Sequence, residues 1–321
     1  MAAALTPKVS VIIPAYNVTA YIADALDSLR GQSFRDFETI VVNDGCPDTG
    51  NLEKVLEPYA GEIVYLKKEN GGVSSARNLA LQHSRGEYIA LLDPDDIWEP
   101  EYLESQTRIL DSRPDLDLIY PDAVFFGDTS WAGRSIMEVF PSSGEITFQK
   151  LVALECRVFV GVTVRREAVF RANLFDTSLP AAEDFDLWLR LARMGAKLDF
   201  QTRKLVRYRS RDGSLSRDSV SLARSVLHVY RKFLKMPDLT REERLVLERM
   251  EREQQAGLDF YVGRKALYTG RHKEAREALS RANVVLKNKK ISVLLVAIQL
   301  APGLVQRLIH MRFRTESAFM H

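Results

Sequence analysis

The sequence predicts an α/β fold with a largely parallel sheet over residues 1–216 and a helical region over residues 217–321. Short apolar, β-branched runs alternate with segments whose apolar residues recur at helical spacing. Strands that alternate with helices favour a layered α/β fold with parallel strands. The strand pattern ends near residue 216, and helices rich in Arg, Lys and Glu follow. We therefore predict two domains with these bounds.

The first elements of the sheet follow from the local pattern. Residues 9–13 form an apolar, β-branched run that ends at Pro14. The further predicted elements are a helix over 21–29, strands over 38–42, 63–66, 88–92 and 116–120, and helices over 74–83 and 183–194. Asp44 and Asp93 both follow predicted strands. Because ligands of such sheets bind beyond the carboxyl ends of the strands, we expect both residues at one crevice.

Composition restricts the class of partner. The chain has 45 Lys and Arg against 43 Asp and Glu, a net charge of +2, and its basic residues are interleaved with acids. We therefore expect no nucleic-acid partner. Cys46 and Cys156 are too few for a disulfide framework or a zinc site, which favours a reducing, cytoplasmic location. Residues 1–8 lack the pattern of a secretory signal.

Acidic clusters are the most informative feature of the chain. They are Asn43-Asp44-Gly45 after one strand, Asp93-Pro94-Asp95-Asp96 after another, and Glu183-Asp184-Phe185-Asp186 at the start of a helix. Carboxylates at the ends of buried strands are costly unless a cationic or reactive group is held there. The clusters indicate a protein that handles a metal-bound nucleotide.

The second cluster has the character of a metal site. Asp93 and Asp95 alternate along an extended segment that Pro94 stiffens, so that their carboxylates crowd one small volume. Hard oxygen ligands in this arrangement suit Mg²⁺ or Mn²⁺ bridging two phosphates. The alternative is an Asp-rich turn that caps the helix after Pro100.

A glycine-rich turn provides a candidate anion site. Gly71-Gly72 leads into a predicted helix, and backbone N–H groups at a helix N-terminus favour anions. Arg77 lies near the first turn of this helix and is placed to reach a nucleotide. A Gly-Gly pair alone is a common loop element.

Five motifs in order resemble family 2 glycosyltransferases of the GT-A fold. They are Val11-Ile12-Ile13-Pro14-Ala15-Tyr16-Asn17, Val42-Asn43-Asp44-Gly45, Gly71-Gly72-Val73-Ser74-Ser75-Ala76-Arg77-Asn78, Leu92-Asp93-Pro94-Asp95-Asp96, and Glu183-Asp184 with Leu187-Trp188-Leu189. The resemblance covers roughly residues 9–216. It implies transfer of a sugar from a nucleoside diphosphate donor, UDP being favoured, to a glycan or lipid-linked acceptor with inversion at the anomeric carbon.

The resemblance also implies roles for individual residues. It assigns donor binding to Pro14, Tyr16, Asp44, Gly72, Arg77 and Asp93. It assigns the binding of a divalent metal, Mn²⁺ or Mg²⁺, to Asp93 and Asp95. Asp184 is the expected general base, because an inverting transfer needs a carboxylate that removes the acceptor proton. Acceptor or diphosphate contacts are carried onto Glu183, Asp96, Arg209 and Ser214. Many family members have Asp where this chain has Asn43, and Ser where it has Cys46.

Each of these residues also has a plainly structural interpretation. Asp44-Gly45 is typical of a β-turn, and the acids at 183–186 are typical of a helix cap. The basic run over 203–217 is typical of a solvated face. A sugar nucleotidyltransferase is disfavoured, because residues 14–19 lack a Gly-rich loop with Arg. The remaining alternative is a non-catalytic nucleotide-sugar-binding or scaffold protein that works through its helical C-terminus.

Two segments of the C-terminal region stand out. Residues 257–282 resemble one tetratricopeptide-type hairpin, and either a plain helical hairpin or an interaction module fits a single copy. Residues 291–314 are apolar at first and flanked by Lys and Arg, a pattern typical of an interfacial anchor on anionic lipid. A helix packed on protein is the alternative. The first interpretation predicts a peripheral position at the inner face of the cytoplasmic membrane.

Overall fold

A computed structural model describes residues 6–211, 214 and 218–307 of the protein. Residues 1–214 and 215–321 group into two compact units. The functional domain boundary between residues 216 and 217 stays a prediction. Residues 308–314 of the predicted membrane segment lie outside the described residues.

The first unit is built on an eight-stranded mixed sheet with strand order β3-β2-β1-β4-β7-β6-β8-β5. The strands are β1 (Val9–Ala15), β2 (Phe37–Asp44), β3 (Ile63–Lys68), β4 (Tyr88–Leu91), β5 (Ile97–Trp98), β6 (Leu118–Gly127), β7 (Thr163–Arg165) and β8 (Leu198–Ser210). Strands β1 to β4 pair in parallel, and β6 is parallel to β8. Strand β7 is antiparallel to both β4 and β6, which makes those two strands point the same way.

Helices flank this sheet. They are α1 (Ile22–Arg30), α2 (Thr49–Leu56), α3 (Val73–His83), α4 (Tyr102–Ser112), α5 (Ile136–Val139), α6 (Phe148–Val152), α7 (Arg166–Arg171) and α8 (Glu183–Arg193), with a 3₁₀ turn at Glu57–Tyr59. Strand β1 is buried along its whole length, as its apolar and β-branched residues predict for a central parallel strand. Alternate residues of β1 pack against α1 in one large core. This rigid centre fixes the strand ends that carry the functional residues.

The second unit is helical throughout its described part. Its helices are α9 (Ser219–Leu234), α10 (Arg241–Tyr268), α11 (His272–Leu286) and α12 (Lys289–Leu300). Helices α10 and α11 form the hairpin predicted over 257–282, and Gly270 takes a left-handed φ of 76° at its turn. A side chain at Gly263 would clash with Leu279, so this glycine permits close packing of the two helices. Among residues 6–211, 214 and 218–307, no helix is both long and apolar enough to cross a bilayer.

Some predicted elements were wrong in their bounds. The sequence predicts separate helices over 242–255 and 259–269 on either side of Gly257, but the structure has one continuous helix, α10, because a glycine is tolerated inside a helix at a cost of about 1 kcal/mol. Strand β6 runs on to Gly127, well beyond the predicted end at 120. Strand β8 was missed because its alternation is obscured by basic residues.

Candidate active site

The carboxyl ends of β1, β2 and β4 lie at one edge of the sheet. The register aligns Ile12 of β1 with Ile40 of β2 and Leu91 of β4. Asp44 is the last residue of β2, and Asp93 follows β4 by two residues. Asp44 and Asp93 therefore lie at the same edge of the sheet, as expected from the sequence.

A buried arginine joins two of the acidic clusters. Arg77 on α3 is 2% exposed. It donates one hydrogen bond to Asp93 Oδ1 (2.8 Å) and one to Glu183 Oε1 (2.5 Å). Its guanidinium also lies 5.4 Å from the ring centroid of Phe175. Arg77 thus links the strand-end cluster at Asp93 to the N-terminus of α8.

This buried cluster carries more negative than positive charge. Glu183, Asp184 and Asp93 all interact electrostatically with the one guanidinium of Arg77. Burial raises the pKa of Asp93, and the guanidinium of Arg77 only partly offsets that rise. Removing either partner of such a pair leaves a buried charge uncompensated, which is costly. The excess negative charge of the cluster would therefore stabilise a further cation bound beside it.

Asp184 has a pKa well above that of an ordinary aspartate. Burial, and then the neighbouring charge of Glu183, raise the pKa of Asp184 to about 7. Its Oδ1 accepts a hydrogen bond from its neighbour's backbone, Phe185 N–H (2.7 Å). A carboxylate with a pKa near the working pH is well matched to take a proton and later release it.

The backbone before α8 is strained. Ala182 takes a left-handed φ of 58° immediately before Glu183, a conformation that a residue with a Cβ adopts at a cost. Asp186, one turn into α8, is fully buried and pairs with Arg190, whose guanidinium also donates to the backbone carbonyl oxygens of Ala172 and Leu174. Asp186 thus fixes the helix, which leaves Glu183 and Asp184 as the acids that face the cluster with Arg77.

Asp44 is held by a second set of contacts. Its Oδ1 accepts from Lys68 Nζ (2.6 Å) and from the backbone N–H of Gly71 (3.0 Å). The side-chain amide of Asn70 donates to the backbone carbonyl of Asp44 (2.9 Å). Gly72 then begins α3 with a φ of 83°. The glycine-rich turn therefore positions Asp44 as well as the helix that carries Arg77.

The acidic cluster after β4 is also contacted by cations from the end of β8. Arg211 Nε donates to Asp95 Oδ2 (2.5 Å), and Arg209 Nε donates to the backbone carbonyl of Asp95 (2.7 Å). Asp96 is buried and accepts from the backbone N–H of Arg209 (2.8 Å). Burial raises the pKa of Asp96 well above its usual range, and the charges of Asp93 and Asp95 add to this rise. The end of β8 is thus fastened to the loop after β4.

The end of β1 provides an exposed aromatic surface. Pro14 is buried within β1, whereas Tyr16, just beyond the strand, is among the exposed large side chains. A pocket of about 430 Å³ opens nearby and is lined by Asn17, Thr19, Ala20, Tyr21, Asp48 and Arg211. Both cysteines are free and buried, and Cys46 donates to Asp48 beside this pocket. Ser214, predicted to contact the diphosphate, has a backbone hydrogen bond to Arg211.

The predicted metal ligands, Asp93 and Asp95, are of the type that a hard divalent cation prefers. Among residues 6–211, 214 and 218–307, no group of three or more His, Cys, Asp or Glu suits a metal ion. Asp93 and Asp95 still offer two carboxylates whose charges interact. Mg²⁺ in phosphate-transfer sites is commonly bound by one or two carboxylates together with substrate phosphates. A two-carboxylate site of this kind depends on the donor for its remaining oxygens.

Sequence reasoning missed two of the cations at this edge as site residues. Lys68 is the last residue of β3, and Arg211 follows the end of β8. A cation at the end of a strand whose neighbouring strands also end in acidic residues is the signal that could have found them. Neither pairing is visible from spacing, because Lys68 lies 24 residues from Asp44 and Arg211 lies 116 residues from Asp95.

The fold is that of GT-A transferases. TarS 1–349 from S. aureus, solved with UDP-GlcNAc, superposes with a TM-score of 0.63 at 18% identity, covering 96% of this chain and 92% of that one. The mannosyltransferase PcManGT from Pyrobaculum calidifontis, solved with GDP-Man and Mn²⁺, gives a TM-score of 0.60 at 17% identity over 94% of this chain and 88% of that one. At this level of identity the likeness shows the fold alone.

Sequence comparison identifies the family. Residues 10–176 match the family model described as glycosyl transferase family 2. An uncharacterized glycosyltransferase of Rickettsia felis is 30% identical over 300 residues, which cover 90% of this chain and 48% of the relative. The chain therefore belongs to glycosyl transferase family 2. It spans about half the length of this relative and of a similar one from Rickettsia conorii.

Proposed function

We propose that the chain transfers a sugar from a nucleoside diphosphate sugar, with UDP favoured, to a hydroxyl group of a glycan or lipid-linked acceptor, with inversion at the anomeric carbon. The observation that carries the proposal is the double contact of Arg77 with Asp93 and Glu183. This contact couples the acids proposed for the donor to the helix that bears the proposed base. A purely structural helix cap would not need that link.

Asp184 acts as the base in this mechanism. Its carboxylate removes the proton of the acceptor hydroxyl while the oxygen forms a bond to the anomeric carbon. The bond from that carbon to the diphosphate oxygen breaks, and the nucleoside diphosphate leaves with the bonding electrons. The proton stays on Asp184 and passes to water after product release. The pKa of about 7 supports this role, because the group is substantially ionised near neutral pH.

The donor-binding role belongs to the strand ends and to α3. Asp44 accepts a hydrogen bond from an N–H of the base or a ribose hydroxyl, while Pro14 and Tyr16 flank the base. Gly72 and the N-terminus of α3 favour the negative diphosphate, and Arg77 adds a fixed positive charge behind Asp93. Arg209 and Ser214, with Arg211, approach the diphosphate from the end of β8. A nucleotide sugar is supported by the donors that occupy TarS and PcManGT.

Asp93 and Asp95 would hold Mn²⁺ or Mg²⁺ together with phosphate oxygens. When bound, such an ion neutralises charge that builds on the leaving diphosphate. The Mn²⁺ in the PcManGT complex supports a divalent ion in this fold. Asp95 is paired with Arg211, so ion binding requires at least one of its oxygens to be shared or released. Glu183 and Asp96 are the further acidic residues proposed to lie near the acceptor or the diphosphate.

A lipid-linked acceptor would be reached at a membrane surface. The proposed location is therefore peripheral, at the inner face of the cytoplasmic membrane, with contact made through the C-terminal unit. The absence of a long apolar helix in the described ranges is compatible with surface contact.

The proposal is tested by separating donor binding from transfer. We expect one class among UDP-, GDP-, dTDP- and CMP-sugars to raise the melting temperature, and to do so more strongly with Mn²⁺ or Mg²⁺ than with chelator. Asp184→Asn should keep that shift and lose transfer by about 10²–10⁴-fold. Asp186→Asn offers no such separation, because it disturbs the fold of α8. Near-normal turnover by Asp184→Asn would remove Asp184 as the base, and no shift with any donor would favour the scaffold protein that works through its helical C-terminus.

A further inference from the structure

Helix α12 is apolar on two faces. One face carries Ile291 and Ile298, which are buried against residues of α10 and α11. The opposite face carries Val293, Val296 and Leu300, and the following turn adds Leu304. These four side chains, here called the apolar stripe, are between 58% and 78% exposed. The spacing of three and four residues aligns Val293, Val296 and Leu300 along one side of α12, and Leu304 follows in the next helical segment, residues 302–307.

The end of α11 also exposes apolar side chains. Val284, Val285 and Leu286 are all exposed and directly precede the turn into α12. Lys287 makes that turn with a left-handed φ of 46°. Seven large aliphatic side chains are therefore exposed within 21 residues of sequence. Single exposed apolar residues are normal, but a contiguous group marks a surface that binds something.

The charged residues that flank the stripe in sequence are all of one sign. Residues 278–315 contain no Asp or Glu, although the chain as a whole is nearly balanced. Lys287, Lys289 and Lys290 are exposed beside the N-terminus of α12, and Arg307 is exposed beyond its other end. An apolar stripe flanked by cations is complementary to an anionic bilayer. The apolar side chains pack against the lipid hydrocarbon, and the lysines interact with the anionic headgroups.

We propose that the apolar stripe and its flanking lysines dock the protein on the surface of a bilayer that contains anionic lipid. The inference deepens the proposed function by supplying a contact with the membrane that holds a lipid-linked acceptor. Docking along the surface fits α12 better than insertion, because its 12 residues are too few to span hydrocarbon. A second copy of the chain is the competing occupant, but it would bring two sets of lysines together.

Co-sedimentation with vesicles tests the surface directly. The full chain is mixed with vesicles of phosphatidylcholine alone or with added phosphatidylserine, at low and at high salt. We expect binding that requires phosphatidylserine and weakens with salt. Val293→Ser, Val296→Ser and Leu300→Ser combined should lower the partition coefficient at least about 10-fold. Lys287→Gln, Lys289→Gln and Lys290→Gln combined should lower the partition coefficient on the order of 100-fold.

A matched control separates this surface from general exposure of apolar side chains. Val64→Ser, Met194→Ser and Leu245→Ser together remove three exposed apolar side chains elsewhere. This control should bind vesicles as the natural chain does. Circular dichroism melts establish that all three variants stay folded. Because nucleotide-sugar binding is measured separately by thermal shift, loss of vesicle binding does not depend on the donor proposal being right.

Two outcomes would overturn the inference. Equal vesicle binding by the stripe variant and the natural chain would remove the stripe as the docking surface. The second outcome is that neither protein binds vesicles, while sedimentation velocity without lipid shows the natural chain as a dimer and the stripe variant as a monomer. This outcome would assign the stripe to a contact between copies of the chain.

Discussion

In the first unit a buried arginine pairs with acidic side chains, whereas in the second unit the arginine of an ion pair is exposed and several large apolar side chains are exposed as well. Arg77 illustrates the first case, because it is buried between Asp93 and Glu183. Arg281 illustrates the second, because it is largely exposed where it pairs with Asp259. Buried charges are expensive and are kept where they perform chemistry, while exposed apolar surface is kept where a partner covers it.

The largest effect on stability is expected at Arg77. Arg77→Ala leaves Glu183 and Asp93 without their shared cation, and we expect a loss of about 3–5 kcal/mol in the free energy of unfolding. Arg77→Lys keeps a charge but cannot form both hydrogen bonds, so its loss should be smaller. Urea unfolding of both variants measures the difference. Equal stability of Arg77→Ala and the natural chain would contradict a buried, energetically coupled cluster.

The pH dependence of transfer should report the pKa of Asp184. Because the base acts when deprotonated, kcat/KM should rise with pH and level off above about 7. The charge of Glu183 raises the pKa of Asp184, so Glu183→Gln should lower that pKa and move the acidic limb to lower pH. Gln retains an oxygen that accepts from Arg77. A limb that stays in place, or moves to higher pH, would refute the assignment.

A smaller effect is expected at Lys68. Lys68→Met removes the cation that holds Asp44, and we expect the affinity for UDP to fall about 10-fold, or about 1.4 kcal/mol. The neighbouring Lys67 is the control, because it is more exposed and pairs with Glu53 instead. Lys67→Met should bind UDP normally in a calorimetric titration. If the two variants lose the same affinity, Lys68 has no special role in the site.

The smallest effect is expected in the second unit. Arg281→Ala removes the exposed cation that pairs with the buried Asp259, which keeps its hydrogen bond from Gln255, and we expect a loss of about 1 kcal/mol in the free energy of unfolding. The same urea measurement applies. A loss as large as that of Arg77→Ala would contradict the expected energetic difference between the ion pair of a buried arginine and that of an exposed arginine.

Several features were accessible from residue patterns. The α/β class, the parallel β1 to β4 segment and the helical C-terminal region follow from periodicity, because apolar spacing records which face of an element is buried. The family follows from motifs that keep their order along the chain, and the comparisons confirm it. Strand β7 and its reversed direction had no such signal, because three residues are too few to show a period.

The order of the motifs can be read directly from the sequence. The helical or extended character of most segments depends on residues that are neighbours along the chain, so it can also be predicted from the sequence. The pairing of Arg77 with Glu183 spans 106 residues, and that of Arg211 with Asp95 spans 116. Only the packed sheet decides which cation meets which carboxylate, since many arginines are available and their sequence separation carries no geometric information. The same holds for α12, whose apolar residues are alike in sequence and become buried or exposed only when one face packs on α10 and α11.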